Sequence, residues 1–363
     1  MSRVCVPTDA TDAEHPSCFL EIHGMEDWPS CASLRVTPTK GRHLVADIDL
    51  PAGTTIIDAR AFAAAVYDEY AEHVCGYCFK VDEYKPFEVV CTACKRAWYC
   101  SEHCRRQHLR DADCGVPHEL TCCALRLMEP LKNLGSLIKP RLMIEVLAKR
   151  YHLKVHNEHE FLALQYDRPE EGWPPSEEVN EWCDSLRTAL SECGWSADVP
   201  PEAVSNDALI SMASQIDANG FDCLTCTTSG DSIGIGIYLN GATFLNHSCQ
   251  ANCEQIHRMP RLVIKTTRAV DKGEPLCIAY VDVCAYADVA ERRERLRDSY
   301  GFECDCALCC AQQADEIDRQ QAVASAAFLH VLFSHQGARQ WLIAAVLAGL
   351  GYILSSIISA SMS

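Results

Sequence analysis

Asn246-His247-Ser248-Cys249 is the stretch whose reading decides the fold. An apolar run, Gly234-Ile235-Gly236-Ile237-Tyr238-Leu239, precedes it, and Ala242-Thr243-Phe244-Leu245 leads directly in. Behind it lie Leu262-Val263-Ile264-Lys265, a turn signal at Asp271-Lys272-Gly273-Glu274, then Tyr280 and the cluster Cys304-Asp305-Cys306-Ala307-Leu308-Cys309. Short apolar runs bounded by Gly, Asp and Pro predict small strands joined by tight turns. The three late cysteines are one ligand short of a closed structural zinc site. Cys249 can supply the fourth if the late segment folds back over the Asn-His-Ser-Cys turn, and Cys310 competes for one place.

Upstream, the ligand types run Cys75-x2-Cys78, Cys91-x2-Cys94, Cys100-x3-Cys104 and His118-x3-Cys122. Eight Cys/His ligands make two tetrahedral sites, and thiolate-rich four-coordination selects zinc. His108 and Cys114 lie between Cys104 and His118 and could replace the last two ligands. The chain holds 24 cysteines in 363 residues. Met1 to Asp27 has neither a basic nor an apolar region of the kind that directs secretion. The paired cysteines therefore read as metal ligands rather than disulfides. A net charge of -18 argues against a phosphate backbone as the main partner. It suits a basic partner such as a lysine-rich tail, and equally a merely soluble surface. Lys95, Arg96, Arg105, Arg106 and Arg110 form a local basic face within this cysteine-rich block.

The remaining segments follow from pattern. Leu34 to Ile57 reads as short strands. Residues 123–218 read as helical, with a start near Pro140 and an inward row of Met143, Leu147 and Tyr151. Ser176 and Ser205 are placed to cap further helices, whose apolar stripes hold Trp182, Leu186 and Leu190, then Leu209, Met212 and Ile216. Asp288 to Asp298 reads as a charged, solvated connector helix, and Ala322 to His335 as another helix. Trp341 to Ile358 is uncharged and apolar over a length at the lower limit for a membrane span, so it reads as a tail anchor or as a buried helix.

In this order, the Asn-His-Ser-Cys turn, Tyr280 and the late cysteines resemble the SET fold. The finger spacing, with Trp98-Tyr99-Cys100-Ser101, resembles a MYND zinc finger. Together they make residues 32–312 similar to the SET- and MYND-domain family of protein-lysine methyltransferases. The resemblance implies an α+β fold: a SET β-fold of small sheets with pseudoknot-like C-terminal threading, interrupted by the finger and a helical insertion, with a short helical tail. The expected organisation is a poorly ordered segment 1–31, the N-terminal part of the SET domain 32–74, the finger 75–122 and the insertion 123–218. The SET core 219–285, a post-SET zinc segment 286–312 and a helical C-terminal region 313–363 follow.

The resemblance also implies a set of roles. S-adenosylmethionine would lie against Lys40, Gly41 and Arg42, with Asn219, Asn246, His247, Tyr280 and Phe302 as further contacts. Tyr280 would be catalytic, and Tyr300 and Phe302 would line the lysine channel. Three zinc ions are implied: one on Cys75, Cys78, Cys100 and Cys104, one on Cys91, Cys94, His118 and Cys122, and one on Cys249, Cys304, Cys306 and Cys309. The implied partners are histone or other proteins bearing a target lysine, with proline-rich peptides at the finger; the implied location is cytoplasm and nucleus, or a membrane through the C-terminal tail. His43 stands where the family's cofactor loop carries glycine. That departure and the short C-terminal region frame the alternative, a catalytically silent zinc-finger scaffold.

Overall fold

A computed structural model describes residues 28–110, 116–128, 137–154, 158–164, 177–224, 232–258 and 260–334. The chain parts into two compact units, Met1–Cys304 and Asp305–Ser363. In the first unit, strands β1 (Ala32–Thr37) and β2 (Gly41–Ala46) form an antiparallel hairpin. Next come β3 (Thr55–Val66), the short pair β4 (Val89–Val90) and β5 (Trp98–Tyr99), and helices α1 (Glu102–Arg110) and α2 (His118–Leu127). Helices α3 (Ile138–Leu147), α4 (Glu158–Leu162), α5 (Glu177–Glu192) and α6 (Asn206–Asn219) follow. The chain then returns to β structure: β6 (Phe221–Leu224), β7 (Ser232–Tyr238), β8 (Asn246–His247), β9 (Cys253–Arg258), β10 (Arg261–Thr266) and β11 (Cys277–Ile278). Helix α7 (Val289–Tyr300) ends the unit, and α8 (Ala307–Ser334) belongs to the second.

The main sheet is antiparallel, in the order β6-β7-β3-β10-β9. Along β3 the run Ala61 to Ala65 is buried at every position, so this half of the strand is covered on both faces. Small side chains fit there because the sheet and α3 both press on it. Gly234 in β7 is required by the same crowding: a Cβ there would lie 2.2 Å from the Ala65 carbonyl oxygen. Two apolar clusters flank the sheet. One joins Phe62 and Ile237 to the insertion through Leu142, Met143, Leu147, Phe161, Leu186, Leu209 and Ile216. The other joins Leu44, Ile57, Tyr238, Phe244, Leu262, Ile264, Leu276 and Ile278. Each such leucine or isoleucine contributes roughly 1.5–3 kcal/mol by leaving water.

Local signals in the insertion act as their chemistry dictates. Ser205 caps α6, its hydroxyl accepting from the Ala208 amide at 3.2 Å. Helix α3 begins at Ile138, two residues ahead of Pro140, which has no N–H to lose in a first turn. Two expectations need correction. The helix after Asp288 is not merely solvated: Arg292 and Leu296 are fully buried, with Arg292 donating to the Tyr286 and Ala287 carbonyls at 2.8 and 2.7 Å. The late helix starts at Ala307, ahead of the expected Ala322, because Ala307 to Ala327 carries neither Gly nor Pro to interrupt it. Ser176, Cys114, residues 1–27 and the apolar stretch 341–358 lie outside the described residues. Among the described residues, no helix is long and apolar enough to cross a membrane.

Candidate active site and metal centres

The Asn-His-Ser-Cys turn is built by a pairing that is remote in sequence. Strands β8 and β11 run parallel, with Asn246 opposite Cys277 and His247 opposite Ile278. Buried Asn252 locks this threading: its side chain donates to the Pro275 carbonyl at 2.8 Å and accepts from the Cys277 amide at 2.8 Å. Leu276 N–H donates to the Leu44 carbonyl at 2.9 Å, which ties β2 to the same segment.

Tyr280 leaves this threading over His247. Its hydroxyl donates to the Leu245 carbonyl at 2.7 Å, and its amide donates to His247 Nδ1 at 3.0 Å. His247 therefore carries its proton on Nε2, which faces Cys249 Sγ at 3.3 Å. Burial, reinforced by the Arg292 charge, pushes the imidazole down to about 4 and keeps it neutral. Burial likewise raises the Tyr280 phenol well above its ordinary value, so the hydroxyl stays protonated at neutral pH. Rings gather around the pair. Tyr300 lies 4.8 Å from Tyr280 between centroids, and Phe302 lies 6.0 Å from His247 and 6.3 Å from Tyr280.

The loop at Lys40 joins this group through Asn246, whose side-chain amide donates to the Lys40 carbonyl at 2.8 Å. Gly41 has φ +59°, and a Cβ there would meet nothing within 4 Å. His43 instead sits in regular strand opposite Arg35, buried, with Nδ1 3.1 Å from the Gly41 carbonyl. The left-handed residue of this loop is thus Gly41, and the backbone at His43 is ordinary strand. His43→Gly is expected to destabilise the chain by about 1–3 kcal/mol, through lost packing and added backbone freedom. Chemical denaturation measures it. Arg42 and Asn219 are engaged within the protein: Arg42 donates to the Ala163 carbonyl and stacks 5.4 Å from the Phe244 ring, and Asn219 donates to the Gln215 carbonyl at 2.8 Å.

Two metal-ligand sets assemble in the finger. Cys75, Cys78, Cys100 and Cys104 converge, as do Cys91, Cys94, His118 and Cys122, each set with ligand atoms within 4.8 Å of one another. Cys78–Cys100 and Cys100–Cys104 sulfur distances are 3.6 and 3.5 Å, and Cys91–Cys122 is 3.7 Å. Zn–S bonds of about 2.3 Å give a tetrahedron edge of about 3.8 Å, whereas a disulfide would require about 2.05 Å. Burial pushes His118 down to about 4, leaving a neutral imidazole whose Nε2 lies 3.4 Å from Cys94 Sγ. His108, the competing ligand, instead places Nδ1 3.2 Å from the Tyr99 hydroxyl. Cys249 and Cys304 sulfurs lie 3.9 Å apart. Cys306 and buried Cys309 open the second unit, where exposed Cys310 turns its thiol to the Asp305 carbonyl at 3.3 Å.

Two functional-looking residues escape sequence reasoning. Arg292 is a buried cation beside His247, hidden in a helix that reads as uniformly charged. Glu160 is a buried carboxyl that burial pushes up to about 7. Its one local signal is its position against the apolar run Phe161-Leu162-Ala163-Leu164.

The family model described as SET domain matches residues 41–281. Among curated proteins, the mouse "Histone-lysine N-methyltransferase SMYD3" is 29% identical over 230 residues, covering 62% of this chain and 49% of that protein. The mouse "Histone-lysine N-methyltransferase Smyd1" is 26% identical over 294 residues, covering 74% and 54%. The zebrafish "N-lysine methyltransferase SMYD2-B" is 25% identical over 297 residues, covering 82% and 62%. The chain spans about half the length of the first of these relatives.

Proposed function

The chain belongs to the SET-domain family, and from that premise we propose that it is an S-adenosylmethionine-dependent protein-lysine N-methyltransferase. The observation that carries this reading is the hydroxyl of Tyr280, held on the Leu245 carbonyl among His247, Tyr300 and Phe302. Relatives named as lysine methyltransferases support the reaction class.

S-adenosylmethionine, when bound, supplies an electrophilic methyl group on a positively charged sulfur. The residues fit such a group: Gly41 leaves open space where a side chain would stand, and beside it Asn246 keeps a carbonyl oxygen able to accept from an ammonium. Gly41, Asn246, His247 and Phe302 would hold the cofactor. Arg42 and Asn219 would serve by shaping the loops, since their side chains already bond to the protein.

The substrate amine must be neutral to attack, and a free lysine has a pKa of about 10.4. A dry channel walled by Tyr280, Tyr300 and Phe302 favours the neutral form, and a neighbouring positive charge pushes the same way. Tyr280 is not the base: its phenol is raised and its proton is committed to Leu245. That commitment leaves the oxygen lone pairs to accept weak C–H contacts from a methyl group. The rest is alignment of amine, methyl and leaving sulfur in one line.

The two finger sets would each hold a structural zinc. With no open coordination position, these ions would organise structure rather than perform chemistry. The finger would then be an interaction module for proline-rich peptides. The domain limits given above, 32–74, 75–122, 123–218, 219–285 and 286–312, are part of the same proposal. Reducing cytoplasm and nucleus suit a chain whose cysteines serve as zinc ligands.

The test is transfer of labelled methyl from S-adenosylmethionine, with zinc-loaded protein, to histones and cell extract. Label on protein lysine is the expected result. Absence of label, together with absence of cofactor binding by calorimetry, overturns the proposal.

A further inference from the structure

Four residues of the segment 160–164 bond toward the stretches of the candidate site. Glu160 in α4 is fully buried, and its carboxylate accepts from the Asn240 amide at 2.8 Å and the Gly241 amide at 2.9 Å. Both donors are left-handed, at φ 62° and 88°. Successive N–H groups in such a turn form a concavity that suits an anion. One short helical turn, Ala242–Phe244, separates it from Asn246. Three residues beyond Glu160, the Ala163 carbonyl accepts from Arg42, next to Gly41. The Phe161 and Leu164 carbonyls accept from Gln215 Nε2 at 3.5 and 3.4 Å, and the Gln215 carbonyl accepts from Asn219.

One segment is therefore bonded to the three separate stretches that carry Gly41, Asn219 and Asn246. Each stretch comes from a different part of the sequence. A carboxyl is also a costly way to fill such a space. Burial outweighs the two amide bonds and pushes it up to about 7, and an apolar side chain would avoid that penalty. What the carboxylate adds is geometry, because two parallel N–H bonds fix the turn in position and orientation.

We propose that residues 160–164 act as a strut that sets the spacing of the cofactor-holding loops, with Glu160 as its positioning residue. The cofactor part of this inference rests on the methyltransferase reading; the strut itself does not.

Hydrogen exchange by mass spectrometry tests it on the full zinc-loaded chain without cofactor, comparing wild type with Glu160→Gln and Glu160→Ala. Glutamine keeps one acceptor and turns an N–H2 group toward the second amide; alanine keeps neither. Exchange in peptides spanning 236–247 and 38–44 should accelerate, more in Ala than in Gln, while the finger strands and β10 stay unchanged. The dissociation constant for S-adenosylhomocysteine should weaken by about tenfold in Gln, as expected for one lost charge-assisted bond. Unchanged local exchange in Glu160→Ala overturns the strut. So does faster exchange spread evenly over the chain, which would make Glu160 an ordinary stabilising residue. A wild type that binds no S-adenosylhomocysteine overturns the methyltransferase reading, while the exchange comparison still decides the strut.

Discussion

Tyr280→Phe is expected to keep the fold, the zinc content and the cofactor affinity, and to lower turnover by about 10²-fold or more. The substitution removes one oxygen and leaves the ring against His247, Tyr300 and Phe302, so packing is preserved. Two things are lost together. The Leu245 carbonyl loses a donor at 2.7 Å, which costs about 1–2 kcal/mol in a half-buried place. The oxygen that would face the methyl group also disappears, and that contact matters most while the methyl is in flight. The kinetic split separates the roles. A loss confined to kcat assigns Tyr280 to the transfer step, and a loss confined to KM would make it a binding residue. Because the phenol is raised and protonated, the pH profile of kcat should report the substrate amine, with activity rising toward alkaline pH in the wild type. Turnover within twofold of wild type would remove Tyr280 from the chemistry.

Zinc removal is expected to unfold residues 75–122 outright. The buried cluster of this segment consists of Cys75, Cys91, Cys94, Ala97, Tyr99 and Cys104, so four of its six members are proposed ligands. With the metal gone, little apolar surface remains to offset chain entropy. Structural zinc contributes apparent binding free energies of about 10–16 kcal/mol in comparable small modules. Incubation with a strong chelator should therefore open this segment to protease within 75–122 while the main sheet persists, and readdition of zinc should restore protection. His118→Ala and Cys91→Ser should each lower zinc content by one ion per chain and expose the same segment, since both fall in one ligand set. Equal protease resistance before and after chelation would show that the segment stands without metal.

The chemistry of this chain is legible wherever it depends on local spacing. Cys-x2-Cys and Cys-x3-Cys bring two ligands to one ion within a turn, so the finger's ligand types appear in the sequence before any fold is known. Short apolar runs beside Gly and Asp likewise mark the strands, and Ser205 marks a helix start. The Asn246 to Cys249 turn and Tyr280 stand out for the same reason, as an ordered set of residue types.

What only the tertiary structure decided is which distant groups meet. The parallel pairing of Asn246 and His247 with Cys277 and Ile278 sets Tyr280 over His247. Nothing local in either segment specifies that partner. Gly41 rather than the position of His43 takes the left-handed backbone, because His43 is paired in a hairpin and buried by its neighbours. Arg42 and Asn219 satisfy protein carbonyls, and Glu160 reaches a turn 80 positions away. Residue type and periodicity determine which groups a segment offers. The partner of a buried charge or amide is set by long-range packing, which must satisfy every such group once water is gone.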